Sequence, residues 1–342
     1  MKILNTIRKT AVTLALAAAL PAVALAQTAA NPIVIKFSHV VAPDTPKGKG
    51  AERFKQLAEE RTGGRVKVEV YPNSQLYKDK EEVEALQLGS VQMLAPSLSK
   101  FGPLGVKEFE VFDLPFIFPS AAVLDRVTNG PVGQAMLKKL EPKGIVGLAY
   151  WDNGFKEMSA NRPLREVKDF KGLKMRIQSS KILEAQMRAL GALPQVMAFS
   201  EVYQALQTGV VDGTENTPSN YWTQKTHEVQ KDMTVSNHGY IGYAVITNKK
   251  FWDGLPPDIR TILEGAMKDA TKYTNAIAQQ ENDEALRKIQ ASGRVKVITL
   301  TDKEREAWRQ ALLPVHKEMA GRVGKDTIEA IYKESAALGF KQ

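Results

Sequence analysis

Apolar positions in "GLKMRIQSS" fall on alternate residues, Leu173, Met175 and Ile177, while Lys174, Arg176 and Gln178 take the places between them. A period of two marks a strand with one face in a core and the other turned away from it. The period then changes. Ile182, Leu183, Met187 and Leu190 recur at helical spacing in "KILEAQMRALGA", and Ser179 or Ser180 stands where a hydroxyl caps a helix N-terminus. The same succession of short apolar strand and amphipathic helix runs through most of the chain. "IVIKFS" at 33–38 precedes the helical "GAERFKQLAEERT"; "VKVEVY" at 66–71 precedes a turn at "PNS" and the helical "DKEEVEALQLG"; "VQMLAPS" follows as a third strand. This is the α/β pattern of a parallel sheet with crossover helices.

Two apolar stretches are longer than their neighbours: "GIVGLAYW" at 144–151 and "GYIGYAVITNK" at 239–249. After the first, the alternation restarts in "LKMRI", "PQVMAF", "GVVDGTEN" and "MTVSN". After the second, the sequence from the proline pair at 256–257 to Gly293 lacks an internal breaker and predicts a single long helix. Long strands at two places suit passage between two sheet lobes. The fold expected is therefore a two-lobed α/β protein, each lobe a sheet flanked by helices, joined by hinge strands and a long helix. The first lobe is assigned 30–153 and 242–281, the second 154–241 and 282–335. "RVKVITL" and a terminal helical segment opening with the capping box Thr301 to Glu304 complete the pattern.

The first 26 residues change the setting. Lys2, Arg8 and Lys9 precede an apolar run that ends in Ala24-Leu25-Ala26, the layout of a cleaved secretory signal peptide. No later stretch approaches the roughly 20 apolar residues of a membrane span. The mature chain is expected to be exported and free in the periplasm. It has no cysteine, hence no disulfide and no lipid-bearing N-terminal cysteine, and at this length apolar burial suffices without cross-links. Removing the three leader cations lowers the formal charge from +9 to +6. Acidic residues are interleaved throughout, and no basic stripe with stacking aromatics appears, so nucleic acid is not an expected partner.

A search for chemistry is mostly negative. His39, His227, His238 and His316 show no metal-ligand spacing, and neither a nucleophile elbow nor a phosphate-binding glycine loop is present, so no metal and no cofactor is expected. What remains is a set of polar residues at strand ends: Arg176, Lys156 in "WDNGFKEMSAN" and Asn216 in "DGTENTPSN". Arg176 sits where strand gives way to helix, the place at which open α/β sheets bind ligands and helix amides favour anions. A solvated arginine at a sheet edge fits the same pattern. If the three converge, a planar guanidinium, a mobile ammonium and a neutral amide suit a small anion enclosed between lobes. A periplasmic enzyme acting on carboxylates needs a paired acid and base, for which Glu215 and His238 are the first candidates.

"YPNSQLYKDKEEVEALQLGSVQMLAPS", "WDNGFKEMSANRPL", "GLKMRIQSS", "MAFSEVYQALQTGVVDGTEN" and "SNHGYIGYAVITN" resemble the DctP-type solute-binding proteins of tripartite ATP-independent periplasmic (TRAP) transporters, in the four-carbon dicarboxylate branch. The resemblance spans 33–332. It implies a monomeric, non-enzymatic binding protein that closes on an organic acid (succinate, malate or fumarate in this branch; a 2-oxo acid, monocarboxylate or sugar acid in others) and delivers it to a membrane permease driven by an ion gradient. The same cleft serves equally to present ligand to a membrane sensor kinase. Residue by residue, the resemblance puts the carboxylate-binding arginine on Arg176, the asparagine of the Glu-Asn pair on Asn216 and a pocket-lining phenylalanine on Phe199. Lys156 stands where many members carry a second arginine, a departure that favours dicarboxylates over sugar acids. Thr217 intervenes before the proline that usually follows the Glu-Asn pair, which predicts a softer loop. From the first lobe His39, Ser97 and Lys100 occupy contact-like positions, with Lys100 facing a second carboxylate. Trp151, Asn153, His238 and Tyr240 lie near the expected cleft.

Overall fold

The computed structural model describes residues 31–341, so the expected signal peptide lies outside the described residues. In chain order the elements are β1 (Ile33–Ser38), α1 (Pro46–Arg61), β2 (Val66–Tyr71), α2 (Glu82–Gln87), β3 (Met93–Leu94), α3 (Ala121–Asn129), α4 (Pro131–Lys138), β4 (Ile145–Ala160), β5 (Lys174–Ile177), α5 (Lys181–Ala189) and β6 (Leu193–Val196). They continue as α6 (Val202–Gln207), β7 (Gly213–Asn216), α7 (Pro218–Thr223), β8 (Asp232–Asn248), α8 (Lys249–Asp253), α9 (Pro257–Ala291), β9 (Lys296–Thr299), α10 (Asp302–Leu312), α11 (Pro314–Val323) and α12 (Lys325–Ala337). No helix among the described residues is long and apolar enough to cross a membrane.

The strands form one sheet in the order β2-β1-β3-β8-β4-β7-β5-β6, with β9 beside β8. Within each end of this sheet the pairing is parallel, as the alternating pattern predicts: β1 with β2 and β3, β5 with β6 and β7. The middle is antiparallel, because β4 and β8 carry the chain between the lobes in opposite directions and pair along their length. Both hinge strands extend beyond their predicted spans, and "MTVSN" is the first half of β8 rather than a separate strand. They stay paired through three register shifts. One of these, between Asp152 and Gly154, is made possible by Gly154 at φ +97°, which lets β4 bend where it leaves the first lobe.

The predicted long helix is α9, 35 residues without interruption. It packs on α1 at one end and on α7 and β9 at the other, so it straps both lobes. At the crossing, Asn275 Oδ1 accepts from Asp152 N (2.8 Å), while Asn282 Nδ2 donates to the Asn153 carbonyl (2.7 Å) and its Oδ1 accepts from Ser219 N (3.0 Å). Two amides thus satisfy backbone groups that the bent strand leaves unpaired.

The first-lobe core joins Ile35, Phe37 and Phe54 to Val245, Trp252 and Leu263 of β8, α8 and α9. The second-lobe core is built from Met175 and Ile177, the apolar face predicted for β5, with Leu183, Met187 and Trp308. Ser180 caps α5, accepting from Leu183 N, and the Thr301–Glu304 box caps α10. The C-terminal helices depart from the expected division, which placed 282–335 wholly with the second lobe. Val315, Val323, Ile328 and Ile331 of α11 and α12 lie in one apolar cluster with Leu94, Ile145 and Ile246 of the first. Their apolar stripes are buried against α3, α4 and residues 107–113, in a stretch between β3 and β4 for which the sequence pattern predicts no element.

Candidate functional site

β1, β3 and β5 end at the same crevice between the lobes, and each hands the chain to a turn or helix whose first residues face it. From the first lobe come Val40 and Val41 after β1, Lys47 in the first turn of α1, Asp79 and Glu82 at the start of α2, and Ser97 and Lys100 after β3. The second lobe supplies Arg176 and Gln178 from the end of β5, Phe199, and Asn216 and Asn220 around the end of β7. Ile241 and Tyr243 of β8 form the hinge-side wall.

The lobes are closed on one another. Gln178 Nε2 donates to Ser97 Oγ at 2.7 Å, Phe199 N donates to Asp79 Oδ1 at 3.1 Å, and Lys78 pairs with Glu201 at 2.9 Å on the rim. Val41 shares an apolar cluster with Phe199, Val202 and Leu206. The cavity left inside offers about 20 Å³ to the centre of a water molecule, so an organic acid enters only when the lobes part.

Arg176 is 2 % exposed. Its alternate-face position on β5 turns it away from Met175 and Ile177 and toward the crevice. Nε and Nη2 donate to the Met197 carbonyl at 3.1 and 2.9 Å, its charge lies 5.9 Å from the Phe199 ring centre, and the nearest carboxylate oxygen, Asp79 Oδ2, is 4.0 Å away. Asp79 is closer to Lys100, at 2.7 Å. Burial opposes its ionisation, but Lys100 and Arg176 together hold its carboxyl below the ordinary range. Lys47 has no carboxylate in contact among the described residues. Its Nζ donates to the Ala95 carbonyl at 3.0 Å and lies 3.8 Å from the Tyr243 ring centre. Burial lowers its pKa to about 8 and raises that of Glu82 to about 7.

Of the residues singled out in the sequence, Arg176, Asn216, Phe199, Ser97 and Lys100 meet in this cavity. Six others lie outside its lining. Lys156, fully buried, is paired with Glu215 at 2.5 Å, so its charge is already compensated inside the second lobe. Glu215 also accepts from Gln186 Nε2 and bonds His238 Nε2, each at 2.8 Å; burial works against its ionisation, yet Lys156 and His238 hold its carboxyl far below the usual range. His238 completes the network through Ser236 Oγ at 2.7 Å, so the acid and base that an enzyme would need are tied to each other behind the cleft. Trp151 packs on Phe37 and donates to Thr271, and Tyr240 meets Phe118 and Phe155 edge to face. Burial and the Lys47 charge keep His39 neutral, with a pKa of about 3. Asn153 donates to Thr217 Oγ1 at 2.7 Å. That bond, with Thr217 N donating to Asn216 Oδ1, ties down the loop predicted to be soft.

Lys47, Asp79, Glu82, Gln178, Asn220 and Tyr243 were not anticipated. Lys47 carries the same signal as Arg176, a cation where a strand end passes into a helix, in "SHVVAPDTPKGKG"; Gln178 is two residues on from Arg176 on the same face. The acids of "KDKEEVEAL" carry no such signal, because nothing local says that another lobe will cover them.

Two lobes that shut over a cleft lined by buried cations define a solute-binding protein rather than a catalyst. The chain belongs to the DctP family, "Bacterial extracellular solute-binding protein, family 7", whose model matches residues 37–322; these are the substrate-binding components of TRAP transporters. It is 66 % identical to the C4-dicarboxylate-binding periplasmic protein DctP of Rhodobacter capsulatus over 95 % of this chain and 96 % of that one. Among solved structures it is similar to a TRAP periplasmic solute-binding protein from Shewanella oneidensis with bound succinate (45 % identity, 89 % of this chain and 99 % of that one, TM-score 0.87). It is likewise similar to one from Pseudomonas aeruginosa PAO1 with bound L-malate (48 %, 84 % and 100 %, TM-score 0.82).

Proposed function

We propose that this protein captures a four-carbon dicarboxylate, succinate, malate or fumarate, in the periplasm by closing its lobes on it, and hands it to the membrane permease subunits of a TRAP transporter. The observation that carries the reading is Arg176, a buried guanidinium facing the cavity with a carbonyl as its hydrogen-bond partner and, among the described residues, its nearest carboxylate oxygen 4.0 Å away. A buried arginine in that condition suits an anionic guest, which compensates the charge and matches the planar fork. Asn216 and Asn220 add neutral amide groups beside it, and the ligands of the two related structures described above, from Shewanella oneidensis and Pseudomonas aeruginosa, are diacids of this size. Closure then makes the two lobes one surface, which the permease reads as the loaded state.

A thermal-shift panel tests the assignment. At 100 times its dissociation constant a ligand stabilises the folded form by about 2.7 kcal/mol. Succinate, malate and fumarate are expected to raise the melting temperature, while acetate, galactonate and amino acids leave it in place. A panel in which a sugar acid or a monocarboxylate gives the largest shift overturns the dicarboxylate reading.

A further inference from the structure

The cavity holds more charge than one carboxylate needs. Arg176 faces one end. Lys100, which the sequence suggested for a second carboxylate, is occupied by Asp79 at 2.7 Å, and Lys156 is occupied by Glu215 outside the cavity. The cation left is Lys47, 1 % exposed and held by a carbonyl and an aromatic face. Beside it stands Glu82, also 1 % exposed, lining the same cavity, with a buried Oε2 that has no hydrogen-bond partner among the described residues. An acidic side chain in a receptor for acids is an anomaly. As an anion it repels the guest; as a carboxylic acid it offers an O–H to a carboxylate oxygen, a short charge-assisted bond.

We propose that Lys47 and Glu82 form the subsite for the ligand's second carboxylate, Lys47 as an ammonium and Glu82 as a carboxylic acid donating to the anion, so that capture of a dianion by the ionised form of Glu82 takes up one proton from solvent. The proposal rests on the dicarboxylate reading above. The groups facing Glu82 are Lys47 from α1, Asp79 before α2, Lys100 after β3, Arg176 from β5 and Tyr243 from β8, with a neutral His39 behind Lys47. With Asp79 ionised and Glu82 protonated, three cations and one anion leave a net charge of two, which a dianion neutralises. The free protein already leans this way: burial raises Glu82 to about 7, whereas Lys100 and Arg176 keep Asp79 ionised. Two neighbouring carboxyls are thus pushed apart by their surroundings.

The experiment is calorimetric titration of succinate into the whole chain at about pH 8, above the Glu82 value, in phosphate and in Tris. The dependence of the observed heat on buffer ionisation enthalpy counts the protons taken up. Wild type is expected to take up more protons per succinate bound than Glu82→Gln, whose amide donates without titrating so that only Lys47, itself near half-protonated at this pH, adds to the count, each protein being titrated to saturation. Equal uptake in the two proteins, or none in wild type, overturns the proposal. Lys47→Met is expected to weaken succinate by at least about 30-fold and butyrate, which lacks the second carboxylate, by less than about threefold; equal losses remove Lys47 from the subsite. If Lys47→Met does not fold, the proton count decides alone. A wild-type protein that binds no four-carbon diacid removes the function proposed above together with this subsite, whereas succinate binding without proton uptake removes the subsite only.

Discussion

Arg176→Ala removes a cavity cation whose hydrogen bonds go to a carbonyl and whose nearest carboxylate among the described residues is 4.0 Å away. In the free protein the loss is partly self-limiting. The Met197 carbonyl forfeits two donated bonds at 3.1 and 2.9 Å, and Asp79, 4.0 Å from Nη2, keeps Lys100 at 2.7 Å. A part-buried carbonyl left without its donor costs at most about 1 to 3 kcal/mol of folding stability. The complex loses more, since a carboxylate enclosed in the cavity is left without its bidentate partner, and truncating one member of a desolvated charge pair costs about 2 to 5 kcal/mol of affinity. The dissociation constant of succinate is therefore expected to rise by a factor of about 30 to several thousand. Calorimetry reads it directly, with circular dichroism to show that the variant is folded. Arg176→Lys separates charge from shape: a point cation restores the Coulombic part but not the planar fork, and affinity between the two is expected. A folded Arg176→Ala that binds succinate within threefold of wild type refutes the placement of a ligand carboxylate on this guanidinium.

Lys156→Met strips the partner from buried Glu215 and is expected to lower the melting temperature by on the order of 10 °C, since breaking a buried pair costs about 3 to 5 kcal/mol; an unchanged melting curve means that His238 and Gln186 suffice. Burial raises Glu157 to about 8, against the bonds it accepts from Asn237 N and Ser236 N. The folded state therefore keeps a proton that the unfolded chain releases above about 4.5, and stability contributed by Glu157 falls as pH rises from there to about 8. Melting temperature against pH is expected to be flatter in Glu157→Gln than in wild type, and parallel curves contradict the assignment. Gln178→Ala deletes the 2.7 Å bond to Ser97 that spans the lobes. Losing about 1 kcal/mol of closure is expected to weaken succinate roughly fivefold, seen as faster release in stopped-flow fluorescence, with little change in ligand-free stability.

Much of the architecture is present in local pattern. The period-two run at 173–178 places Met175 and Ile177 in a core, the unbroken stretch after Pro256 becomes one helix of 35 residues, and serine or threonine marks the starts of α5 and α10. These features depend on neighbours within a turn or a strand, so a sequence can express them by itself. Arg176 was legible for the same reason, its place at a strand-to-helix junction being a local property. What tertiary structure alone decided is which charges face each other. Lys156 and Lys100 read alike in the sequence as free cations, yet Glu215 neutralises one from 59 residues away and Asp79 the other from across the cleft wall. Lys47 and Glu82 lie on helix starts, and Asp79 in the turn before one, places that look solvated until a second lobe covers them. Burial and pairing of charge are set by residues distant in the chain and brought together by the hinge, and a guanidinium, an ammonium and a carboxyl acquire their chemistry only from that enclosure.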